Sequence, residues 1–208
     1  MNFENTEVFN LEGAIRGMRN PLKSWNKIDS YWDEGFYILG ENDLTLARKL
    51  IRGGGEHRKF LRQIMVSVDI TAPLYLWKEL DTYKVGTVAN SESTMHKLAS
   101  TEITFDCFEW DDFDKSDKQR ADKILKFWSL QINYLDHLRE QYLETGEKFY
   151  WKELIRLLPS SWLQMRTVTM NYENLYNMLK QRRGHKLSEW HQVCEWIESL
   201  PYTTLLFD

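Results

Sequence analysis

The chain has 208 residues, 42% of them hydrophobic and 28% charged, with nine Trp, ten Tyr and ten Phe, a mixture too aromatic for a disordered chain. The length fits one domain with a real core, and a net charge of −4 supplies no overall basic field for polymeric DNA or RNA. No run approaches the roughly 18 apolar residues of a membrane helix, and residues 1–10 are acidic where a signal peptide is basic, which predicts a cytoplasmic protein.

Residues 1–60 read as largely irregular, broken by Asn20-Pro21 and Gly35, until Asn42-Asp43 caps a short helix through Leu44, Leu46, Ala47 and Leu50. Gly53-Gly54-Gly55 stops that helix. No Gly-Lys-Ser/Thr follows the triplet, so it reads as a helix end and not as a phosphate loop. Residues 64–70 alternate strictly, Ile64, Val66, Val68 and Ile70 against Met65, Ser67 and Asp69, and predict a strand. Pro73 then suits a first helical position before Leu74, Trp77 and Leu80. A second alternation, Ile103, Phe105 and Cys107 against Thr104 and Asp106, predicts an antiparallel neighbour for that strand.

Apolar residues from Ala121 to Tyr142 recur at helical spacing, which predicts a long amphipathic helix over residues 117–142 with Gly146 as its cap. Two more helices fit residues 170–183, closed by Gly184, and 187–200, closed by Pro201. The fold class is α+β: a single domain over residues 1–208 with a small antiparallel sheet and several long helices. Cys107 and Cys194 lie far apart without a CxxC and read as packing residues. Asp111-Asp112 and Asp114 read as a solvated helix start, and the histidines share no metal-ligand spacing, so no metal is assigned.

The run Ala72-Pro73-Leu74-Tyr75-Leu76-Trp77-Lys78-Glu79-Leu80 resembles the strand-to-helix entry of the flavin-dependent thymidylate synthases. That family continues into an Arg-His-Arg signature followed by a serine. Here the corresponding positions read Thr82-Tyr83-Lys84, and the serine falls on Glu92, or on Ser93 with one residue slipped. Leu157-Leu158-Pro159 and then Thr169 to Arg182 resemble the family's Leu-Pro and Thr-x-Asn-x-Arg-x-Leu-x-Asn-x-Leu-x-x-Arg. Asn171, Leu175, Asn177 and Arg182 match, while Glu173 stands where the family has arginine. Residues 54–60, with His57, resemble the segment that touches the flavin.

The resemblance implies a homotetramer, FAD in preference to FMN, a pyrimidine nucleotide against the flavin, reduction by NADPH and a methylene from a folate. It implies His57, Tyr83, Asn171 and Asn177 as cofactor-binding residues, and Lys84, Ser93 and Arg182 as nucleotide-binding residues. Arginine suits a phosphate dianion because its planar fork makes paired charge-assisted hydrogen bonds, whereas lysine acts as a point charge. Arg182 also sits near a helix end, where the dipole favours any cation, and Asn171 and Asn177 serve equally as structural amides. Tyr83 suits stacking on a flavin ring or packing in a core. Three functions follow: a flavin-dependent enzyme acting on a pyrimidine nucleotide, a non-catalytic relative that binds a nucleotide or a protein, or an unrelated α+β interaction protein.

Overall fold

A computed structural model of the protein describes residues 1–110 and 116–207. In chain order the elements are β1 (Asn2–Phe9), α1 (Leu11–Met18), β2 (Tyr31–Asp33), β3 (Phe36–Ile38), α2 (Glu41–Arg52), β4 (Met65–Pro73), α3 (Leu74–Leu80), β5 (Val88–Ser91) and α4 (Thr94–Lys97). They continue with α5 (Lys118–Thr145), α6 (Lys148–Leu157), β6 (Leu163–Asn171), α7 (Tyr172–Arg182), α8 (Ser188–Ser199) and α9 (Thr203–Leu206). One small antiparallel sheet has the order β1-β4-β6-β5, and β2 pairs antiparallel with β3 as a separate hairpin. The class is mixed α+β.

Two compact units emerge: Met1–Asn2, Ile70–Thr82 and Asn90–Arg166 form the first, and Phe3–Asp69, Tyr83–Ala89 and Thr167–Asp208 form the second. The first is built on α5, where Asp117 caps the helix by accepting from the Arg120 amide at 3.0 Å, and Gly146, at φ 71, ends it. Ile132, Leu135 and Leu138 of α5 bury against Leu98, Ile103, Phe108, Leu154 of α6 and Trp162. Each such fully buried side chain contributes roughly 1.5–3 kcal/mol, which holds α5 and α6 together. Cys107 packs half-buried against this cluster.

In the second unit, Ala14, Ile15 and Met18 of α1 and Leu44, Ala47 and Ile51 of α2 are buried, as are Phe60 and Leu61 of the 3-10 turn Arg58–Gln63. Trp190, Val193 and Ile197 present the apolar stripe of α8, and Leu175, Met178 and Leu179 that of α7, so these helices bury their faces together.

The structure corrects several expectations. Residues 103–107 are not a strand: Phe105–Cys107 is a 3-10 turn closed by Cys107 and Phe108 amides on the Thr104 and Phe105 carbonyls at 3.1 Å. The Ile103 amide donates instead to Asp136 Oδ1 at 2.9 Å, so the alternation serves burial of Ile103 without a ladder. Residues 1–60 are not irregular. β1 has no apolar alternation because it is an edge strand, exposed along most of its length, with Asn5 donating to Asp69 of its neighbour at 2.8 Å. Asn42-Asp43 does not cap α2. The carboxylate of Asp29 does, accepting from the Asn42 and Asp43 amides at 2.8 and 3.0 Å, which frees Asp43 for a buried role. Pro73 is the last residue of β4 and the cap of α3, one position before the helix. The strand β6 precedes α7, so the helix predicted from residue 170 begins at Tyr172. The Gly53 stop and α8 stand within a residue of their predicted limits, while β4 starts one residue later than predicted and runs three residues further, to Pro73. Asp111-Asp112 and Asp114 lie outside the described residues.

Candidate functional site

The second unit carries a cleft of ≈ 780 Å³ lined by Gly17 to Leu22, Ser24, Lys27, Leu46, Leu50, Glu56, His57, Lys59, Phe60 and Gln63. The fold makes it where α1 runs into the 3-10 turn Asn20–Leu22, with α2 and the turn Arg58–Gln63 as the other walls. Its chemistry is mixed: Leu22, Leu46, Leu50 and Phe60 offer apolar surface, while Arg19, Lys27 and Lys59 bring positive charge.

Arg19 is only 4% exposed, and its Nε donates to Oδ1 of the fully buried Asp43 at 2.6 Å. Oδ2 of Asp43 accepts from the Ser30 hydroxyl at 2.7 Å and from the Ser30 and Asp29 amides at 3.0 and 3.1 Å. Burial opposes ionisation of Asp43, but the hydrogen bonds from Ser30, Arg19 and the backbone outweigh it and hold its carboxyl below the ordinary aspartate value. Nη2 of Arg19 is buried and has no hydrogen-bond partner among the described residues. A buried guanidinium nitrogen left without an acceptor costs about 1–3 kcal/mol, which an anionic ligand atom would offset.

The turn Arg58–Gln63 divides its side chains. Lys59, Phe60 and Gln63 line the cleft, while Arg58 and Arg62 turn to α7. Arg58 Nε donates to Glu173 Oε1 at 3.0 Å, its Nη2 to Asn177 Oδ1 at 3.4 Å, and its guanidinium lies 4.8 Å from the Tyr176 ring centroid. Arg62 closes on the other oxygen of Glu173. Partial burial would raise the Glu173 carboxyl, but the hydrogen bonds and charges of Arg62 and Arg58 depress it below its ordinary value.

A third cluster joins Tyr83 to α7 and α8. The Tyr83 hydroxyl donates to Gln181 Oε1 at 2.8 Å and accepts from Arg182 Nε at 3.0 Å. The Arg182 guanidinium lies over the Trp190 ring at 4.6 Å, and Tyr83 meets the same ring edge-on at 6.0 Å. This arrangement presents a cation braced on an aromatic face, geometry suited to a phosphate or an anionic ring edge.

The residues singled out from the sequence divide accordingly. His57 is exposed and lines the cleft. Asn177 belongs to the Arg58–Glu173 cluster, and Tyr83 and Arg182 touch each other. Asn171 is buried as the N-cap of α7, its Oδ1 accepting from the Asn174 amide at 3.0 Å. Lys84 is exposed beside Tyr83. Ser93 lies in the first unit, where its hydroxyl accepts from the His96 amide at 3.4 Å as the cap of α4. Sequence reasoning missed Arg19, Asp43, Arg58 and Trp190. Only the Arg58 cluster left a trace, since Glu173 and Asn177 are four apart and share a helix face.

No protein-family model and no curated protein sequence matches the chain. Solved structures do. The fold is that of thymidylate synthase X (ThyX) from Helicobacter pylori with FAD and dUMP, at TM-score 0.70 and 19% identity, covering 100% of this chain and 98% of that one. A second structure, flavin-dependent thymidylate synthase ThyX from Helicobacter pylori complexed with FAD and dUMP, gives TM-score 0.67 and 18% identity over the same shares. A UMP/dUMP methylase, PolB from Streptomyces cacaoi bound with 5-Br UMP, is similar at TM-score 0.64 and 12% identity, covering 99% of this chain and 92% of that one.

Proposed function

We propose that the protein is a divergent flavin-dependent thymidylate synthase-like protein that binds a pyrimidine nucleotide together with a flavin, FAD in preference to FMN. The observation that carries this reading is the likeness of the whole chain to two structures holding FAD and dUMP and to one bound with 5-Br UMP. The cleft beside His57 supports it, because a dinucleotide needs both apolar wall for its rings and positive charge for its diphosphate. Arg19 Nη2, Lys27 and Lys59 fit the anion, and Leu46, Leu50 and Phe60 fit a ring. A bound flavin would supply hydride transfer, while this chain's residues bind and orient it.

The nucleotide phosphate falls to Arg182, braced by Tyr83 and Trp190. Thr82, Glu79 and Thr94 stand where the resembled family has Arg, Gln and Arg, so the phosphate has lost charged partners. Each charged hydrogen bond lost is worth roughly 1.5–3 kcal/mol, about ten- to a hundredfold in affinity. Ordinary dUMP therefore binds weakly, and thymidylate is not made efficiently from it. The deciding experiment is an absorbance spectrum of the purified protein, followed by FAD titration read by tryptophan fluorescence and by dUMP titration of wild type and Arg182→Ala. Flavin absorbance or saturable quenching, with nucleotide affinity lost in Arg182→Ala, supports the reading. Absence of any flavin response, or unchanged nucleotide affinity in the variant, refutes the corresponding half. Complementation of a thymidine-requiring bacterium would overturn the expectation of weak thymidylate synthesis.

A further inference from the structure

Gln164 and Arg166, two apart on β6 and so on one face of the strand, build a polar cluster within the first unit together with Trp77, Asp81 and Thr94. Gln164 is buried and fully engaged. Its Nε2 donates to the Glu92 carbonyl at 2.8 Å and to Thr94 Oγ1 at 2.9 Å, and its Oε1 accepts from Arg166 Nε at 3.0 Å. The Arg166 guanidinium lies 4.3 Å from the centroid of the Trp77 ring. That ring is itself fixed, buried, with Nε1 donating to the Gln164 carbonyl at 2.9 Å.

Buried groups thus hold Arg166 along one edge and on one face. Its outer edge is different: Nη1 donates at 3.0 Å to Asp81, a carboxylate 53% exposed, and Nη2 makes no hydrogen bond to a described residue. Water screens such an exposed pair, so Asp81 holds the guanidinium weakly, whereas Gln164 and Trp77 keep the planar fork in place. The surroundings of this fork give it a use. Thr82 follows Asp81 directly, and Thr94 is joined to Arg166 through the single side chain of Gln164. Both threonines stand where the resembled family has arginine, and Arg166 lies outside every motif that carries the resemblance, between Pro159 and Thr169. The cation missing at residues 82 and 94 is present on β6.

We propose that Arg166 is a phosphate-binding residue of this protein, presenting Nη1 and Nη2 as a fork to the nucleotide phosphate, with Gln164 and Trp77 as its positioning residues. The proposal rests on the reading of the protein as a pyrimidine-nucleotide binder. It adds to Arg182 of the second unit, and neither assignment requires the other. One arginine in place of two leaves ordinary dUMP a weak ligand. Asp81 competes with the phosphate for Nη1, which sets a direction that a purely structural ion pair would not give.

Calorimetric titration of the full chain with dUMP and with UMP, up to millimolar nucleotide, tests it on wild type, Arg166→Gln, Arg166→Lys and Asp81→Asn. Arg166→Gln is expected to weaken binding by about ten- to a hundredfold, the loss of a charged hydrogen-bonding fork. Arg166→Lys recovers only part of that, because an ammonium is a point charge. Asp81→Asn is expected to tighten binding by about threefold or more, since the phosphate then has no carboxylate to displace. That gain decides the matter if Arg166→Gln disturbs folding by circular dichroism. Unchanged affinity in a folded Arg166→Gln, or affinity no higher in Asp81→Asn, overturns the proposal and leaves the nucleotide reading standing. A wild type that binds neither nucleotide overturns both.

Discussion

Arg58 and Glu173, 115 residues apart, meet at 3.0 Å half-buried at the first turn of α7, and Arg62 takes the second carboxylate oxygen. Glu173 stands where the resembled family carries arginine, and here the positive charge comes instead from the turn Arg58–Gln63. The reversal keeps a cation at this face while tying the turn that walls the cleft to the helix that bears Asn177.

That tie predicts unequal effects of the two arginines. Arg58 is 18% exposed and makes three contacts, so Arg58→Ala should cost about 1.5–3 kcal/mol. Arg62 is 54% exposed, and solvent screening limits Arg62→Ala to about 1 kcal/mol or less. Urea denaturation of both variants and of Glu173→Ala, arranged as a double-mutant cycle, gives the coupling. Equal losses for the two arginines would contradict the geometry.

The Arg19–Asp43 pair should dominate the acid behaviour of the second unit. Breaking a buried pair leaves one charge uncompensated, so Asp43→Ala is expected to destabilise by about 3–5 kcal/mol. The folded carboxyl is depressed, so its contribution is full above the unfolded aspartate value near pH 4 and is lost as pH falls through the lower folded value. Denaturation midpoints of wild type should therefore drop below about pH 4, and Asp43→Ala should show a smaller drop. A variant with the wild-type acid profile would remove Asp43 as its cause.

Gly86 governs the loop that carries Tyr83 and Lys84. It has φ 77, and a Cβ there would stand 2.5 Å from Nδ2 of Asn171, while Asn174 Nδ2 holds the Val85 carbonyl at 2.8 Å. Gly86→Ala is expected to cost about 1–3 kcal/mol through the left-handed backbone and the close approach together. Thermal denaturation measures the loss, and Trp190 fluorescence should change if the Tyr83–Arg182 bracket loosens. Unaltered stability would mean that the loop yields freely.

Local patterns made β4, the long α5 and α8 legible, because each element repeats apolar residues at its own period and ends on Pro, Gly or an acidic cap. Of the positions singled out by the resemblance, Tyr83 and Arg182 meet in one cluster. The strand β1 was not legible, since an edge strand needs a neighbour's ladder and no alternation of its own. Residues 103–107 misled because an alternating pattern records which side chains are buried and not where backbone amides find acceptors.

The sequence by itself determined the α+β class, the helices with strong periodicity and the reading Thr82-Tyr83-Lys84 where the resembled family has Arg-His-Arg. The tertiary structure decided which distant polar groups meet: Asp29 with the start of α2, Arg19 with Asp43, Arg58 and Arg62 with Glu173, and Arg182 with Tyr83. The reason is physical. Periodicity encodes burial, which is a sum over single residues, whereas an ion pair or a ligand cleft is a coincidence of residues far apart in sequence and is fixed only when the packed core brings them within hydrogen-bonding distance.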